Sequence, residues 1–188
     1  MVVRRMGQET FNGFMKNPSK SKFFRHLEGL KITAVFSDCG NFRYLLEIEK
    51  TNAMPGKRVC VIMLNPSVAD ETRADKSVQF LEKLIFEKTS PYFKNVTRMS
   101  IVNLFAFIQT RDFEGGPEQV GPLNNHYLEE TIAAADIVLI AWGKSAGHSQ
   151  RKAWVLEVLE QYPGKTVLVT RAHPSRGTYT DFVCDFQN

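Results

Sequence analysis

Apolar and polar positions alternate along the chain in blocks of two kinds. Some blocks are short runs of mostly β-branched residues, typical of strands that are buried on both faces. They lie at 58–64, 95–104, 136–142 and 165–171. The other blocks place apolar residues at helical spacing. They lie at 72–88, 123–135 and 150–161. Because the two kinds alternate, the pattern predicts a mostly parallel sheet with helices on both faces.

Two further runs, 32–36 and 42–48, flank the turn-rich segment Ser37-Asp38-Cys39-Gly40-Asn41. Such a pair predicts an antiparallel hairpin. We therefore expect a single α/β domain over residues 1–188, built as a three-layer α/β/α sandwich around a central four-stranded, mostly parallel sheet. Its parts would be a basic lead-in at 1–30, the hairpin at 31–50 and an α/β core at 58–178.

Composition narrows the class of protein. A chain of 188 residues with 43% hydrophobic content suits one compact domain, and a net charge of +4 permits a nucleic-acid partner without requiring one. The three cysteines, Cys39, Cys60 and Cys184, are far apart in the sequence. This spacing argues against a zinc site and for reduced thiols. No apolar run approaches the ~20 residues of a membrane span, and the N-terminus lacks a signal-peptide pattern. We expect a cytoplasmic protein without a cofactor or a metal.

Polar residues follow three of the predicted strands. The segments are Leu64-Asn65-Pro66-Ser67, Ala141-Trp142-Gly143 and Ala172-His173-Pro174-Ser175. In parallel sheets, ligands collect outside the carboxyl ends of the strands. We therefore expect an amide, an imidazole and two hydroxyls to meet in one crevice, where they would suit a polar ring.

Each of these residues has two interpretations. Asn65 precedes a proline and can hold a water or contact a ring, but Asn-Pro-Ser is also ordinary turn chemistry. A neutral His173 can donate to an oxygen that gains negative charge, although a lone histidine is more often a cap or a core residue. Trp142 suits packing, and Gly143 allows close approach of the backbone to a phosphate.

Two further positions are candidates. Asn103 is an amide within an apolar strand, so it needs a partner, either in a neighbouring loop or on the edge of a ligand base. Asp70 is the better of two candidates for a general base, ahead of Asp75, because it is closer to Asn65 in the sequence. Asp70, with Glu71 and Thr72, also suits the start of a helix, where acidic residues are common.

In this order, the motifs resemble those of the uracil-DNA glycosylase superfamily. That family carries Asp or Asn after the first core strand, an Asn at the end of the second, often Trp-Gly after the third, and a final His-Pro-Ser. The chain is most similar to a bacterial and phage group with the pattern Met-Leu-Asn-Pro-Ser-x-Ala-Asp, which residues 63–70 fit throughout. The resemblance covers about residues 32–178.

The resemblance implies a role for each matching residue. Asn65, Asp70 and His173 would be catalytic, with Asn65 positioning the attacking water. Asn103, Phe105 and Leu64 would bind the base. The DNA contacts would be Ser67, Gly143, Lys144, Ser145, Ser175 and Arg176.

Two departures from the family pattern bear on these roles. The leucine wedge that follows His-Pro-Ser in the uracil enzymes is replaced by Arg176-Gly177-Thr178, so Arg176 or Tyr179 would fill the gap left by a flipped base. The aspartate of the first motif is Asn65 here, so stronger water activation would have to come from Asp70.

The resemblance therefore implies a monofunctional DNA glycosylase that flips out and excises a modified pyrimidine, leaving an abasic site. The base would be one such as the glucosylated hydroxymethylcytosine of phage DNA, removed as anti-phage defence. The expected partner is double-stranded DNA, with no membrane and no obligate protein partner. The alternatives are a uracil or thymine mismatch glycosylase, a nucleotide-processing enzyme, and a non-catalytic DNA-binding module.

Overall fold

The structure, a computed structural model, describes residues 24–144 and 147–187. The strands are β1 (Leu30–Phe36), β2 (Arg43–Lys50), β3 (Lys57–Met63), β4 (Val96–Asn103), β5 (Ile137–Ile140), β6 (Thr166–Thr170) and β7 (Val183–Asp185). The helices are α1 (Lys76–Glu82), which continues into a π-helix (Lys83–Glu87), α2 (Asn124–Ala134) and α3 (Ser149–Glu160). Short 3-10 turns lie at Pro91–Phe93, Pro117–Gln119 and Pro174–Arg176. None of the helices in these two ranges is long and apolar enough to cross a membrane.

The strands form one mixed sheet in the order β1-β2-β4-β3-β5-β6-β7. β3 pairs in parallel with β4 and β5, and β5 pairs in parallel with β6. The predicted hairpin, β1–β2, is not a separate unit, because β2 pairs antiparallel with β4 and so extends the same sheet. The sheet therefore has seven strands rather than the predicted four. The last of them, β7, is only three residues long, too short to show a periodic pattern in the sequence.

Side chains on β3 alternate between two hydrophobic cores. Val59, Val61 and Met63 belong to a core that includes α1. Cys60 and Ile62 belong to a second core, which includes α2 and α3. Successive strand residues point to opposite faces, so the helices cover both faces of the sheet as the alternating pattern predicts.

The first helix begins four residues later than predicted, at position 76 rather than 72. The Asp70 carboxylate accepts hydrogen bonds from the backbone N–H groups of Thr72 and Arg73, which holds this segment in a turn. The helix is instead capped by Asp75, whose side chain accepts from the N–H of Val78 at 2.8 Å. An aspartate at this position satisfies one of the free N–H groups of the first turn.

Candidate active site

The carboxyl ends of the four parallel strands lie along one edge of the sheet. Met63 at the end of β3 is in register with Asn103 at the end of β4, and Ile140 at the end of β5 is in register with Val169 on β6. The polar segments identified in the sequence leave the sheet at this edge. The edge is the position where open α/β sheets bind ligands.

Asn65 joins two loops at this edge. Its side-chain N–H donates to the carbonyl oxygens of Gln109, at 2.6 Å, and Pro66, at 3.3 Å. Since both partners are acceptors, the nitrogen of the amide must face them, which leaves Oδ1 as the atom turned away from both carbonyls. Oδ1 accepts no hydrogen bond from residues 24–144 or 147–187. The half-buried Asn65 therefore presents a fixed acceptor, which is the polarity needed to orient a water by one of its protons.

His173 is held in one tautomer by the residue two positions later. The backbone N–H of Ser175 donates to Nδ1 at 3.3 Å, and the Ser175 hydroxyl lies 2.9 Å from the same nitrogen. Because a backbone N–H can only donate, Nδ1 must be the unprotonated nitrogen, and the proton of the neutral ring lies on Nε2.

Charges around His173 act on its pKa in opposite directions. Burial lowers the pKa below its ordinary 6.5 and the charge of Arg176 lowers it further, while the carboxylate of Asp75 opposes the shift. The ring is therefore mostly neutral at neutral pH and presents one N–H donor.

Gly143, after β5, lies against His173. Its φ is +82°, and a Cβ added there would lie 3.3 Å from the Cβ and 3.4 Å from the backbone nitrogen of His173. Both the backbone conformation and the close approach favour glycine. The polar segments after β5 and β6 are therefore in contact. Trp142, which is half-buried, packs against the α2–α3 core.

Asp75, which was expected to matter less than Asp70, connects the first polar segment to the others. Its carboxylate accepts a hydrogen bond from the hydroxyl of Ser67, and its charge favours the protonated forms of both His173 and Arg43. With α1 predicted to begin at 72, Asp75 would lie inside the helix. The sequence signal that could have found it is an aspartate three residues before Val78, which is an N-cap pattern.

The carboxylate of Asp70 forms hydrogen bonds within its own turn. Its carboxylate accepts from the backbone and hydroxyl of Thr72 and from the backbone and Nε of Arg73. Burial alone would raise its pKa, but these hydrogen bonds outweigh burial and leave the pKa below its ordinary value. The contacts of Asp70 place its carboxylate within this loop, and its role as a general base stays a prediction.

Asn103 and Arg43 form a buried polar pair at the end of β4. Arg43 is 2% exposed and Asn103 1% exposed. The guanidinium donates to the Ala69 carbonyl at 2.8 Å and, from Nη2, to Oδ1 of Asn103 at 3.4 Å. Within the described ranges, no acceptor meets Arg43 Nε or Asn103 Nδ2. Leaving a buried donor unpaired typically costs about 1–3 kcal/mol, so this pair is a costly feature of the end of β4.

The two other predicted base-binding residues lie in the core on the α2–α3 side. Phe105 is 3% exposed, and its ring packs edge-on against Phe113 and His148, with centroids 5.2 Å and 5.0 Å apart. Leu64 is half-buried against the same core. These contacts account for both residues as packing, and contact with a base stays a prediction.

The predicted DNA contacts differ in exposure. Ser67 and Ser175 are half-buried and already hydrogen-bonded to Asp75 and His173, whereas Lys144 and Arg176 are exposed. Arg176 closes a short 3-10 turn, and its backbone N–H donates to the His173 carbonyl at 2.9 Å. Ser145 lies outside the described residues.

A cavity of about 490 Å³ beside the start of α3 was not predicted. Its walls include Phe105, His148, Arg151 and Trp154. The Arg151 guanidinium stacks on Trp154 at 4.4 Å and donates to the Leu104 carbonyl at 2.6 Å.

Among the described residues there is no group of three or more His, Cys, Asp or Glu side chains that could hold a metal ion.

Comparison with known proteins places the chain in a family. A family model described as protein of unknown function DUF1643 matches residues 43–176, which is most of the chain and includes every part of the edge described above. The chain belongs to the DUF1643 family. No curated protein and no solved structure matches the chain significantly. In this DUF1643 protein, the matched segment begins at Arg43, the buried cation on β2, and ends at Arg176, beside His173.

Proposed function

We propose that this DUF1643 protein is a DNA glycosylase that excises a pyrimidine base and leaves an abasic site. The observation that carries the proposal is the fixed polarity of the groups at the sheet edge. Asn65 presents an acceptor and His173 presents the N–H of a neutral imidazole. Hydrolysis of an N-glycosidic bond needs both, because a water must be oriented towards the sugar while negative charge on the departing base is stabilised.

The reaction assigns one task to each group. Asn65 Oδ1 accepts a hydrogen bond from the attacking water and so directs the water's lone pair to C1′ of the flipped nucleotide. As the bond between C1′ and the ring nitrogen breaks, its electron pair passes to the base and the sugar becomes oxocarbenium-like. His173 Nε2–H donates to the pyrimidine O2, where negative charge develops.

Asp75 supplies the negative charge that the cationic sugar needs. Its carboxylate caps α1 and accepts a hydrogen bond from the Ser67 hydroxyl, so it is fixed in position beside the first polar segment. The water proton passes to Asp75 or to solvent as the new C–O bond forms, and the product is an abasic sugar and a free base.

Exposed cations near this edge suit the DNA backbone. Arg176 and Lys144 lie on the segments that carry His173 and Gly143, and contacts of this kind position a duplex without reading its sequence. Tyr179 does not have the freedom of a wedge, because it stacks on Phe80 with ring centroids 4.6 Å apart. Arg176 is therefore the better candidate for the space left by a flipped base.

The test is an assay for alkali-labile sites in duplex DNA that contains uracil, a thymine mismatch or a phage-type modified pyrimidine. We expect cleavage of at least one substrate by the wild type. Asn65→Ala and His173→Ala should each lower the rate by about 10²-fold or more, since each removes a preorganised group.

Matched controls separate chemistry from folding. Asn125→Ala and His126→Ala remove the same side-chain types from exposed positions on α2, and both should retain wild-type rates. Full activity of Asn65→Ala and His173→Ala would contradict the site. DNA binding without an abasic product would indicate a binding module, and hydrolysis of free nucleosides alone would indicate a nucleotide-processing enzyme.

A further inference from the structure

The cavity of about 490 Å³ beside the start of α3 is separate from the groups that the proposed reaction uses. Among the described residues that line it, none is Asn65, Asp75 or His173. Its volume lies within the range of pockets that hold small molecules, about 300–1,000 Å³. The side chains of its walls indicate which kind of molecule would fit.

Arg151 brings a positive charge to this cavity without a carboxylate to balance it. No ion pair joins it to an acidic residue in the described ranges, and the described residues of the cavity wall include no acidic side chain. Burial lowers the pKa of the guanidinium to about 10, so the group stays charged at neutral pH. A partly buried charge is costly unless it is paired, and the cavity therefore favours an anion.

The contacts of Arg151 leave one end of the guanidinium for that anion. Nε donates to the Leu104 carbonyl at 2.6 Å. Nη2 is enclosed, with no acceptor among the described residues. Nη1 is the remaining nitrogen. The guanidinium lies over the Trp154 ring, with Cζ 4.4 Å from the ring centroid. Stacking of this kind restrains an arginine side chain, so the charge is held at the cavity wall.

Aromatic rings and polar side chains form other parts of the wall. Trp154 and His148 both line the cavity and are half-buried. The ring of His148 packs against Phe105, with centroids 5.0 Å apart. Ser149 and Gln150 are exposed and add groups that both donate and accept hydrogen bonds. Rings beside such groups suit a planar heterocycle, whose faces stack and whose edges carry donors and acceptors.

A loop completes the wall and is held in place without a ligand. Gly115 and Pro117 line the cavity. The side-chain oxygen of Gln119 accepts hydrogen bonds from the backbone N–H groups of Gly115, at 2.5 Å, and Gly116, at 2.9 Å. Gly115 has a φ of +78° and lies so close to His148 that an added Cβ would overlap the imidazole ring. The shape of the cavity therefore depends on a glycine at position 115.

We propose that this cavity binds a nucleoside monophosphate, with the phosphate on Arg151 and the base against the rings of Trp154 and His148. A bare phosphate would leave the rings without a contact, and a neutral aromatic ligand would leave the guanidinium without an anion. A nucleotide supplies both parts, either as a free mononucleotide or as one unit of a DNA strand. The inference goes beyond the proposed function and does not depend on it.

Isothermal titration calorimetry of the full chain with dAMP, deoxyadenosine and inorganic phosphate tests the inference. We expect dAMP to bind more tightly than deoxyadenosine by about tenfold or more, because the nucleoside lacks the charge-assisted hydrogen bonds to arginine. It should also bind more tightly than inorganic phosphate by about tenfold or more, because phosphate alone has no ring to stack. No measurable binding of dAMP, or an affinity equal to that of either part, would overturn the inference.

A charge variant locates the bound nucleotide. Arg151→Gln should lower the affinity for dAMP by about tenfold or more and leave that for deoxyadenosine unchanged. Arg111→Gln is the matched control, since Arg111 is exposed and does not line the cavity. It should bind dAMP as the wild type does. Binding that survives in Arg151→Gln but is lost in His173→Ala would place the nucleotide at the candidate active site and overturn the inference.

A second variant changes the shape of the cavity and keeps its charge. Gly115→Ala should displace the His148 ring and lower the affinity for dAMP. Gly40→Ala is its control, because Gly40 has a similar φ of +72° but an added Cβ there meets nothing within 4 Å. Equal affinities of these two variants would contradict a site in this cavity. If Arg151→Gln does not fold, as judged by circular dichroism, this pair and the wild-type titrations decide the question.

An oligonucleotide distinguishes the two sources of the nucleotide. If a single strand of oligo-deoxyadenosine binds more tightly than dAMP, and the gain is lost in Arg151→Gln, the cavity holds one unit of a DNA strand. If the strand binds no more tightly than dAMP, the ligand is a free mononucleotide. A strand whose binding is unaffected by Arg151→Gln, together with unaltered dAMP binding in that variant, would refute both.

Discussion

At the scale of single residues, burial lowers the pKa of His173, and two neighbours of opposite charge adjust it. Asp75 raises the pKa of the imidazole and Arg176 lowers it. Asp75→Asn should therefore move the pKa further below 6.5, and Arg176→Gln should move it upward. An NMR titration of the ring, assigned by its absence in His173→Ala, measures both shifts.

The same two variants should also change activity in a predictable direction. Because the neutral ring is the proposed donor, the rate should rise with pH as His173 loses its proton. The acid limb of the pH–rate profile should lie at lower pH in Asp75→Asn and at higher pH in Arg176→Gln. Shifts in the same direction for both variants would contradict the electrostatic arrangement around His173.

The sequence could predict the position of those candidate residues that have a distinctive local pattern. Asn65, Asn103 and His173 are polar residues at the ends of apolar runs, and the structure places all three at the carboxyl ends of parallel strands. Asp75 carries only the weaker signal of an N-cap, and Arg43 carries no local signal. Arg43 lies on the hairpin, and its contact with Asn103 spans 60 residues of sequence. Such a contact exists only once β2 has paired with β4.

At the scale of elements, the segment after His173 is docked on α1 by aromatic rings. Phe80 stacks with Tyr179 and packs edge-on against Phe182, with centroids 4.6 Å and 4.9 Å apart. Gly177 lies under this cluster, where an added Cβ would come within 2.4 Å of the Phe80 ring. The glycine therefore lets the segment approach α1 closely enough to hold the His173 loop.

Gly177→Ala should consequently loosen this docking. We expect the free energy of unfolding to fall by about 1–3 kcal/mol, as for other overpacked positions. Gly164→Ala is the matched control, because an added Cβ there meets nothing within 4 Å. It should change stability by less than about 0.5 kcal/mol. Urea unfolding of both variants checks the prediction, and equal effects of the two substitutions would refute it.

The exact ends of helices and strands depend on side-chain hydrogen bonds, which the spacing of apolar residues does not predict. The strands β3 to β6 begin and end within a residue or two of their predicted positions, because their apolar runs are long and bounded by polar residues. The start of α1 was wrong by four residues, because the turn made by Asp70 and the cap made by Asp75 override the apolar spacing.

At the scale of the whole molecule, a buried histidine–glutamate pair ties the start of the described chain to α1. His26 Nδ1 is hydrogen-bonded to the carboxylate of Glu82, and Nε2 donates to the Asp70 carbonyl at 2.8 Å. Both partners are acceptors, so the protonated imidazolium satisfies both. Burial alone would lower the pKa of His26, but these hydrogen bonds and the charge of Glu82 outweigh it and raise the pKa above 6.5.

Global stability should depend on pH in the direction this shift sets. A raised folded-state pKa gives a contribution that is fully present below 6.5 and is lost as the pH rises through the folded-state value. The free energy of unfolding, measured with urea, should therefore include this contribution at about pH 6 and lack it at about pH 9. In Glu82→Gln, an amide that can donate to the neutral ring replaces the carboxylate, and the difference should disappear. The same pH dependence in both proteins would refute a role for this pair.

The order of the strands was the least predictable property of the molecule. Alternation of strands and helices predicted the helices on both faces, but no local pattern shows that the hairpin joins β4 or that β7 closes the opposite edge. These pairings join strands that are far apart in the sequence or lie at edges that the parallel pairing leaves free.

The attachment of β2 to β4 has a practical consequence for anyone who would move the candidate site into another scaffold. A fragment limited to the four parallel strands would leave the backbone of β4 open along one side, a known route to aggregation, and would lose Arg43 along with it. A transplanted site would have to include β1 and β2, even though neither strand carries a residue of the motifs that pointed to the candidate site.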